Sequence, residues 1–204
     1  MQITYLGLNC FRIQTKNNLV VTDPYSEKSG LKMPRFKADI ITVSNKENEN
    51  ANNIKSILSP QLIVEEPGEY ERANTFIYGI KVNGGKNTIF LIEDEGIFIA
   101  HLGFLEKELT EKELEKIKTV DILLIPATGL DSNKISKTIS LLEPRLIIPM
   151  NYKIPKLKIK AETLEKVTKA LGASGAEELD KLKISKKDLP QENTQVIILK
   201  PDLK

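Results

Sequence analysis

The residues able to do polar chemistry in this chain are few. His101 is the only histidine and Cys10 the only cysteine. One cysteine excludes an intramolecular disulfide and any cysteine-rich zinc site. One histidine excludes a conventional dinuclear zinc centre, because such centres draw on several imidazole nitrogens. His101 as a general base lacks an identified partner, and a lone histidine is more often structural. Cys10 has no second histidine to activate it, and its place in a β-prone run suits a buried apolar thiol. What remains is oxygen chemistry. Asn45-Lys46-Glu47-Asn48-Glu49-Asn50 follows an apolar run, and Glu47, Glu49 and Asp23 could bring three carboxylates near one another. Asn45, Asn50 and Asn151 would add amide oxygens. Such an all-oxygen set suits Mg²⁺, Mn²⁺ or Ca²⁺ better than Zn²⁺. The plainer reading, and the favoured one, is a solvated loop at residues 45–53, where Asn and Glu are common. Glu47 and Glu49 would point the same way only on an extended chain.

The elements that must position these residues read first as strands. Residues 3–6, 10–15 and 19–22 are short β-prone runs, split by Gly7 and the turn Lys16-Asn17-Asn18. Asp23-Pro24-Tyr25 ends the third run, since proline cannot donate to a ladder. Residues 26–37 read as a loop and 39–43 as a buried strand. The polar stretch 44–53 leads into an expected short helix through Ile54, Ile57 and Leu58. A strand at 62–65, a turn at Pro67-Gly68 and a strand at 76–82 follow. Asn83-Gly84-Gly85 supplies the positive-φ positions of a hairpin into 88–93, and Asp94-Glu95-Gly96 those of a second into 97–100.

From there helix and strand alternate. Thr110 and Glu113 form a capping box for a helix to about Lys118. A strand at 121–125 precedes a helix at 131–142 with Ile135, Ile139 and Leu142 at helical spacing. A strand at 146–149, a helix at 162–171 stopped by Gly172, and a strand at 195–199 complete the pattern. A meander followed by alternation fits a layered α/β or α+β sandwich. No repeat or linker divides the chain, so one domain over 1–204 is expected.

Composition narrows the function classes. With 204 residues, 40% hydrophobic and 28% charged, the chain can bury a core without disulfides or a structural metal. A net charge of +2, with lysines interleaved among glutamates, argues against a nucleic-acid partner. The basic residues 153–160, with Ile154, Leu157 and Ile159 between them, read as a solvated strand or loop. Apolar runs are too short to span a membrane, and no charged n-region precedes an apolar h-region, so a cytoplasmic setting is expected.

Seven segments, in order, carry a resemblance. They are Leu6-Gly7-Leu8-Asn9-Cys10-Phe11-Arg12-Ile13, Thr22-Asp23-Pro24-Tyr25 and Ala38-Asp39-Ile40-Ile41-Thr42-Val43-Ser44. Further on come Pro67-Gly68-Glu69-Tyr70-Glu71, Ile99-Ala100-His101-Leu102-Gly103 and Val120-Asp121-Ile122-Leu123-Leu124-Ile125-Pro126. The last is Pro144-Arg145-Leu146-Ile147-Ile148-Pro149-Met150-Asn151-Tyr152. Together they resemble the metallo-β-lactamase superfamily, in its branch of small metal-dependent hydrolases related to ascorbate-6-phosphate lactonase. The resemblance implies an α+β fold, a four-layer αββα sandwich, with two zinc or manganese ions held by loops at one edge.

The same resemblance implies that the metal ligands have been substituted. The family reads H-x-H-x-D-H after the strand ending at Ser44. Here those positions carry Asn45, Glu47, Glu49 and Asn50. The bridging aspartate expected after Gly103 is Phe104, and the histidine expected before Tyr152 is Asn151. A further histidine loop is replaced by Asn83-Gly84-Gly85, and a usual Gly-His-Ser start by Leu8-Asn9. Asp23 is implied to support the metal loop and His101 to precede the bridging position, which leaves these two as a residual polar site. Amides offer a neutral oxygen in place of an imidazole nitrogen, and a phenyl ring has no lone pair to ligate a metal ion. Without a metal, no bound water reaches a useful pKa. The expectation is a non-catalytic relative with a binding or structural role and no metal cofactor. The alternative is a hydrolase rebuilt around the oxygen-ligand set. No partner is specified, and self-association is compatible with this branch.

Overall fold

β-Branched and aromatic residues recur at alternate positions through the first hundred residues, and a computed structural model, which describes residues 1–117 and 119–203, has strands there. They are β1 (Gln2–Gly7), β2 (Cys10–Gln14), β3 (Leu19–Thr22), β4 (Phe36–Lys37), β5 (Ile40–Thr42), β6 (Ile57–Leu58) and β7 (Leu62–Val64). β8 (Gly68–Arg72), β9 (Thr75–Val82), β10 (Asn87–Asp94) and β11 (Ile97–His101) follow. Then come α1 (Glu111–Leu114), β12 (Ile122–Pro126), α2 (Ser132–Leu142), β13 (Leu146–Met150) and α3 (Leu164–Ala170), and finally β14 (Glu177–Leu179), β15 (Leu182–Lys183) and β16 (Gln195–Leu199).

The strands form two large sheets. One has the order β15-β1-β2-β3-β5-β7, the other β14-β16-β13-β12-β11-β10-β9-β8, and β4 pairs with β6 in a small ribbon. The sheets face each other across a common core. Ile3, Tyr5, Phe11, Ile13 and Ile40 from the first meet Ile77, Phe90, Ile99, Leu124 and Ile148 from the second. Each such side chain, fully removed from water, contributes roughly 1.5–3 kcal/mol. A second cluster lies on the far face of the eight-stranded sheet, where Ile89, Leu91, Leu123 and Ile125 pack under Ile135 and Leu142 of α2. This is the expected α+β sandwich. Its outer layers are unequal. Beyond the six-stranded sheet, Val21 and Ile41 are fully buried, and the segment carrying Met33, Phe36, Ala38 and Ile57 joins their cluster. That cover is made by turns and the β4–β6 ribbon.

Topology decides where loops gather. β11, β12, β13 and β16 run parallel, as do β3, β5 and β7. Their carboxyl ends therefore collect at one edge of the sandwich, where connecting loops are free to carry polar groups.

Local differences from the sequence reading have physical causes. The expected helix through Ile54, Ile57 and Leu58 is a 3₁₀ turn at Ile54–Ser56 followed by strand β6. Ser59, with φ +54°, precedes Pro60, which disfavours a continued helix. The turn expected at Pro67-Gly68 opens directly into β8, an edge strand whose charges discourage pairing with another chain. β14 and β15 were not expected. The capping box of Thr110 and Glu113 forms, but α1 is one turn long, and the expected end near Lys118 lies outside the described residues. The Glu95-Gly96 turn has φ +54° and +73°, as a type I′ hairpin requires. No described helix is long and apolar enough to cross a membrane.

Candidate functional site

At the gathered strand ends, the chain builds a buried polar node. Asp23 follows β3 in a positive-φ conformation (φ +38°), and its N–H donates to the Thr42 carbonyl at 2.8 Å. This aims the carboxyl at Ser44. Oδ1 accepts the Ser44 N–H at 2.6 Å, and Oδ2 accepts the Ser44 hydroxyl. Asp23 is completely buried. Burial pushes its carboxyl up to about 7, against the pull of both Ser44 hydrogen bonds. The Asn9 amide lies beside the carboxyl without forming a hydrogen bond of normal geometry, and it favours the ionised form.

His101 ends β11 on the opposite sheet and is also completely buried. Its Nε2 lies 2.8 Å from the Asn9 backbone carbonyl. A carbonyl only accepts, so Nε2 carries the proton and Nδ1 holds the lone pair. Nδ1 has no hydrogen-bond partner among the described residues. The same Asn9 carbonyl accepts the Thr22 hydroxyl at 2.8 Å. Burial lowers His101 to about 4, with the Asn9 carbonyl opposing. The imidazole is therefore neutral near pH 7, and the 4.0 Å approach of Nε2 to Asp23 Oδ2 is not then an ion pair. Cys10, buried beside them, has its thiol raised by burial and by the Asp23 charge, so it does not present a thiolate. The node fastens the two sheets together; with Asp23, His101 and Cys10 all 0% exposed, a substrate cannot touch it.

The positions implied as metal ligands lie one layer further out, each tied by its own neighbours. Asn45 Oδ1 accepts the Glu47 N–H at 3.0 Å, and the Asn45 carbonyl accepts the Asn48 N–H at 3.1 Å. Glu47 is exposed. Glu49 is exposed and paired with Lys28. The Asn50 N–H donates to Asn48 Oδ1 at 3.1 Å, while its carbonyl accepts the Ser26 N–H at 3.1 Å. Residues 45–51 are thus a series of turns tied to Ser26 and Lys28.

Phe104, half-buried, donates its N–H to Asn87 Oδ1 at 2.9 Å, and Asn87 Nδ2 donates to the Leu102 carbonyl at 3.0 Å. Between them Gly103 has φ +57°, and a Cβ there would meet Ser44 Cβ and Oγ at 2.5 Å and Asn87 Oδ1 at 2.6 Å. Only glycine fits that approach. Asn151 (φ +56°) donates its N–H to the Leu8 carbonyl at 2.7 Å, and its carbonyl accepts the Thr128 hydroxyl at 2.9 Å.

The cleft left at this edge is small, about 110 Å³, and Asn45, Lys46, Glu47, Glu65, Glu66 and Lys81 are among its walls. Lys46 pairs with Glu66 across it. Among the described residues no group of three or more His, Cys, Asp or Glu could hold a metal ion. The donors present do not fit a dinuclear zinc centre: the one imidazole is sealed in the core with Nε2 donating to a carbonyl. The oxygen-ligand set is not assembled either, because Asp23 spends both oxygens on Ser44 and Glu49 is held by Lys28. Ser44 and Asn87, which organise the node and its surroundings, were not singled out in the sequence, and Asn9 was named only as a departure from the family pattern. Their roles depend on contacts such as Asn9 with His101, 92 residues apart, for which local pattern carries no signal.

This architecture is shared with solved structures. A metallo-β-lactamase superfamily protein from Thermotoga maritima, with a proposed Zn-dependent hydrolase activity, is 28% identical over 98% of both chains, with a TM-score of 0.80. Igni18, a metallo hydrolase from Ignicoccus hospitalis, is 13% identical over 100% of this chain and 96% of that one, with a TM-score of 0.65. YhfI from Bacillus subtilis, a metallo-β-lactamase-fold protein, is 8% identical over 100% and 98%, with a TM-score of 0.61. The latter two likenesses are of fold alone. No curated protein matches the chain. The sequence profile of the family described as "Beta-lactamase superfamily domain" matches residues 2–151, and the chain belongs to that family.

Proposed function

We propose that this chain is a non-catalytic member of its hydrolase superfamily, one domain over residues 1–204, in which the metal centre has been replaced by internal hydrogen bonds and ion pairs. The observation that carries this reading is the use of the replaced positions. Asn45 closes a backbone turn with its side chain, the Asn50 N–H is taken up by the neighbouring Asn48 side chain, Glu49 is neutralised by Lys28, and an apolar ring stands at Phe104. These groups serve the local fold and leave no convergent donors for a cation that could activate water. The family's hydrolytic chemistry then has no nucleophile here, and the role that remains is binding or structural. A single buried cysteine agrees with a cytoplasmic setting.

The test is direct. The pure protein, supplied in turn with Zn²⁺, Mn²⁺ and Mg²⁺, is assayed against lactones, phosphodiesters and nucleic acid with and without chelator. No chelator-sensitive turnover is expected. A chelator-sensitive rate that Glu47→Gln and Glu49→Gln abolish would overturn the proposal in favour of a rebuilt oxygen-ligand hydrolase.

A further inference from the structure

The outer face of β1 and β2, away from the strand-end cleft, carries a second polar cavity. It measures about 530 Å³, and its walls include Thr4, Arg12, Asp180, Lys181, Lys200 and Asp202. We propose that it binds a small oxyanion, phosphate or carboxylate, with Arg12 as the anchor.

Thr4 and Arg12 are cross-strand partners, so their side chains share a face of the sheet, the one opposite the core residues Ile3, Tyr5, Phe11 and Ile13. Arg72 and Arg145 are paired with Asp39 and Asp121. Arg12 enters no salt bridge among the described residues. Its guanidinium instead sits 5.7 Å from the centroid of the Phe36 ring. Such a ring holds a guanidinium in place and leaves its N–H fork open for two oxygens. Lys181 is likewise without an ion pair among the described residues, and the carboxylate nearest Lys200 is Glu178 at 3.8 Å. The Thr4 hydroxyl, in a residue only 4% exposed, has no hydrogen-bond partner among the described residues. A buried polar group left unpaired in this way calls for an explanation.

The walls are fixed before any ligand arrives. The Lys200 N–H donates to the Leu179 carbonyl at 2.8 Å, and the Asp202 N–H donates to the Tyr5 carbonyl at 2.8 Å. β15 is registered on β1 through Gln2 and Lys183. Binding therefore costs little ordering of the protein. Asp180 and Asp202 stand on the same walls and offer acceptors. They can accept from an O–H or N–H of the bound oxyanion, as from the hydroxyl of a protonated phosphate.

The test is calorimetric titration of the full chain with inorganic phosphate at low ionic strength. Saturable one-to-one binding is expected, weakening as sodium chloride screens the site. Arg12→Gln should weaken it at least about tenfold, the loss of a bidentate charged contact. Lys181→Gln, at an exposed position, should weaken it several-fold and serves if Arg12→Gln does not fold. Lys137→Gln, a charge change elsewhere on the surface, should titrate as the unaltered protein does. Absence of saturable binding overturns the proposal. So does wild-type binding in the Arg12 and Lys181 variants, or an equal loss in Lys137→Gln.

Discussion

Ser44 and Asn45 are neighbours in the chain, yet they belong to two regions built on opposite principles. Ser44 is buried and gives both its donors to Asp23, inside a node sealed by both sheets. Asn45 begins a loop whose side chains bond to their own backbone or form ion pairs at the surface. In the node, every change is felt, because a buried polar group that loses its partner cannot turn to water. In the loop, water replaces whatever is removed. The contrast separates two kinds of constraint: the groups that join the sheets are held by the whole fold, while those facing solvent answer only to their nearest neighbours.

The contrast sharpens most with pH. Asp23 protonates at about 7 when folded, against an ordinary value of 3.8. Between those values the folded state holds a proton that the unfolded chain lacks, so the stability Asp23 provides falls as pH rises through that window. His101 has the opposite sign: folded at about 4 against 6.5, it adds stability as pH rises from about 4 to about 6.5. Asp23→Asn removes the first effect and keeps the second. Relative to the unaltered protein, the variant's stability should climb by about 3.5 kcal/mol between pH 4 and pH 7, read by urea unfolding. Parallel profiles for the two proteins would mean that Asp23 is ionised in the fold throughout.

Gly103→Ala comes next. The added methyl meets Ser44 and Asn87 at 2.5–2.6 Å in a positive-φ conformation, and should cost about 3 kcal/mol in the same measurement. A cost near zero would show that the loops around Ser44 and Asn87 yield easily, and the node would lose its claim to rigidity. Smallest of all is Glu49→Gln in the outer loop. Its partner Lys28 is exposed, as it is, so the unfolding midpoint should not move measurably. A clear drop there would erase the distinction between the two regions.

How far these features are legible in the sequence differs by region. Hairpins written in positive-φ residues, Gly84-Gly85 and Glu95-Gly96, can be read directly, as can the Thr110–Glu113 capping box and α2, whose apolar spacing matches its buried face. β8 cannot, because Gly-Glu-Tyr-Glu-Arg has little strand propensity and is held by its pairing with β9. β14 and β15 likewise take their form from partners distant in sequence. Of the candidate site, the substituted positions are visible by type alone. Their arrangement is not: Asp23 and His101 are recognisable as polar residues, but that one lies under Ser44 and the other against the Asn9 carbonyl depends on two sheets closing face to face.

The most direct measurement is metal content by elemental analysis, after incubation with Zn²⁺, Mn²⁺ and Mg²⁺ and desalting. The account predicts near-zero retention of each. Stoichiometric retention of any one would contradict it, and Glu47, Glu49 and Asp23 would become the first residues to replace in search of the ligands.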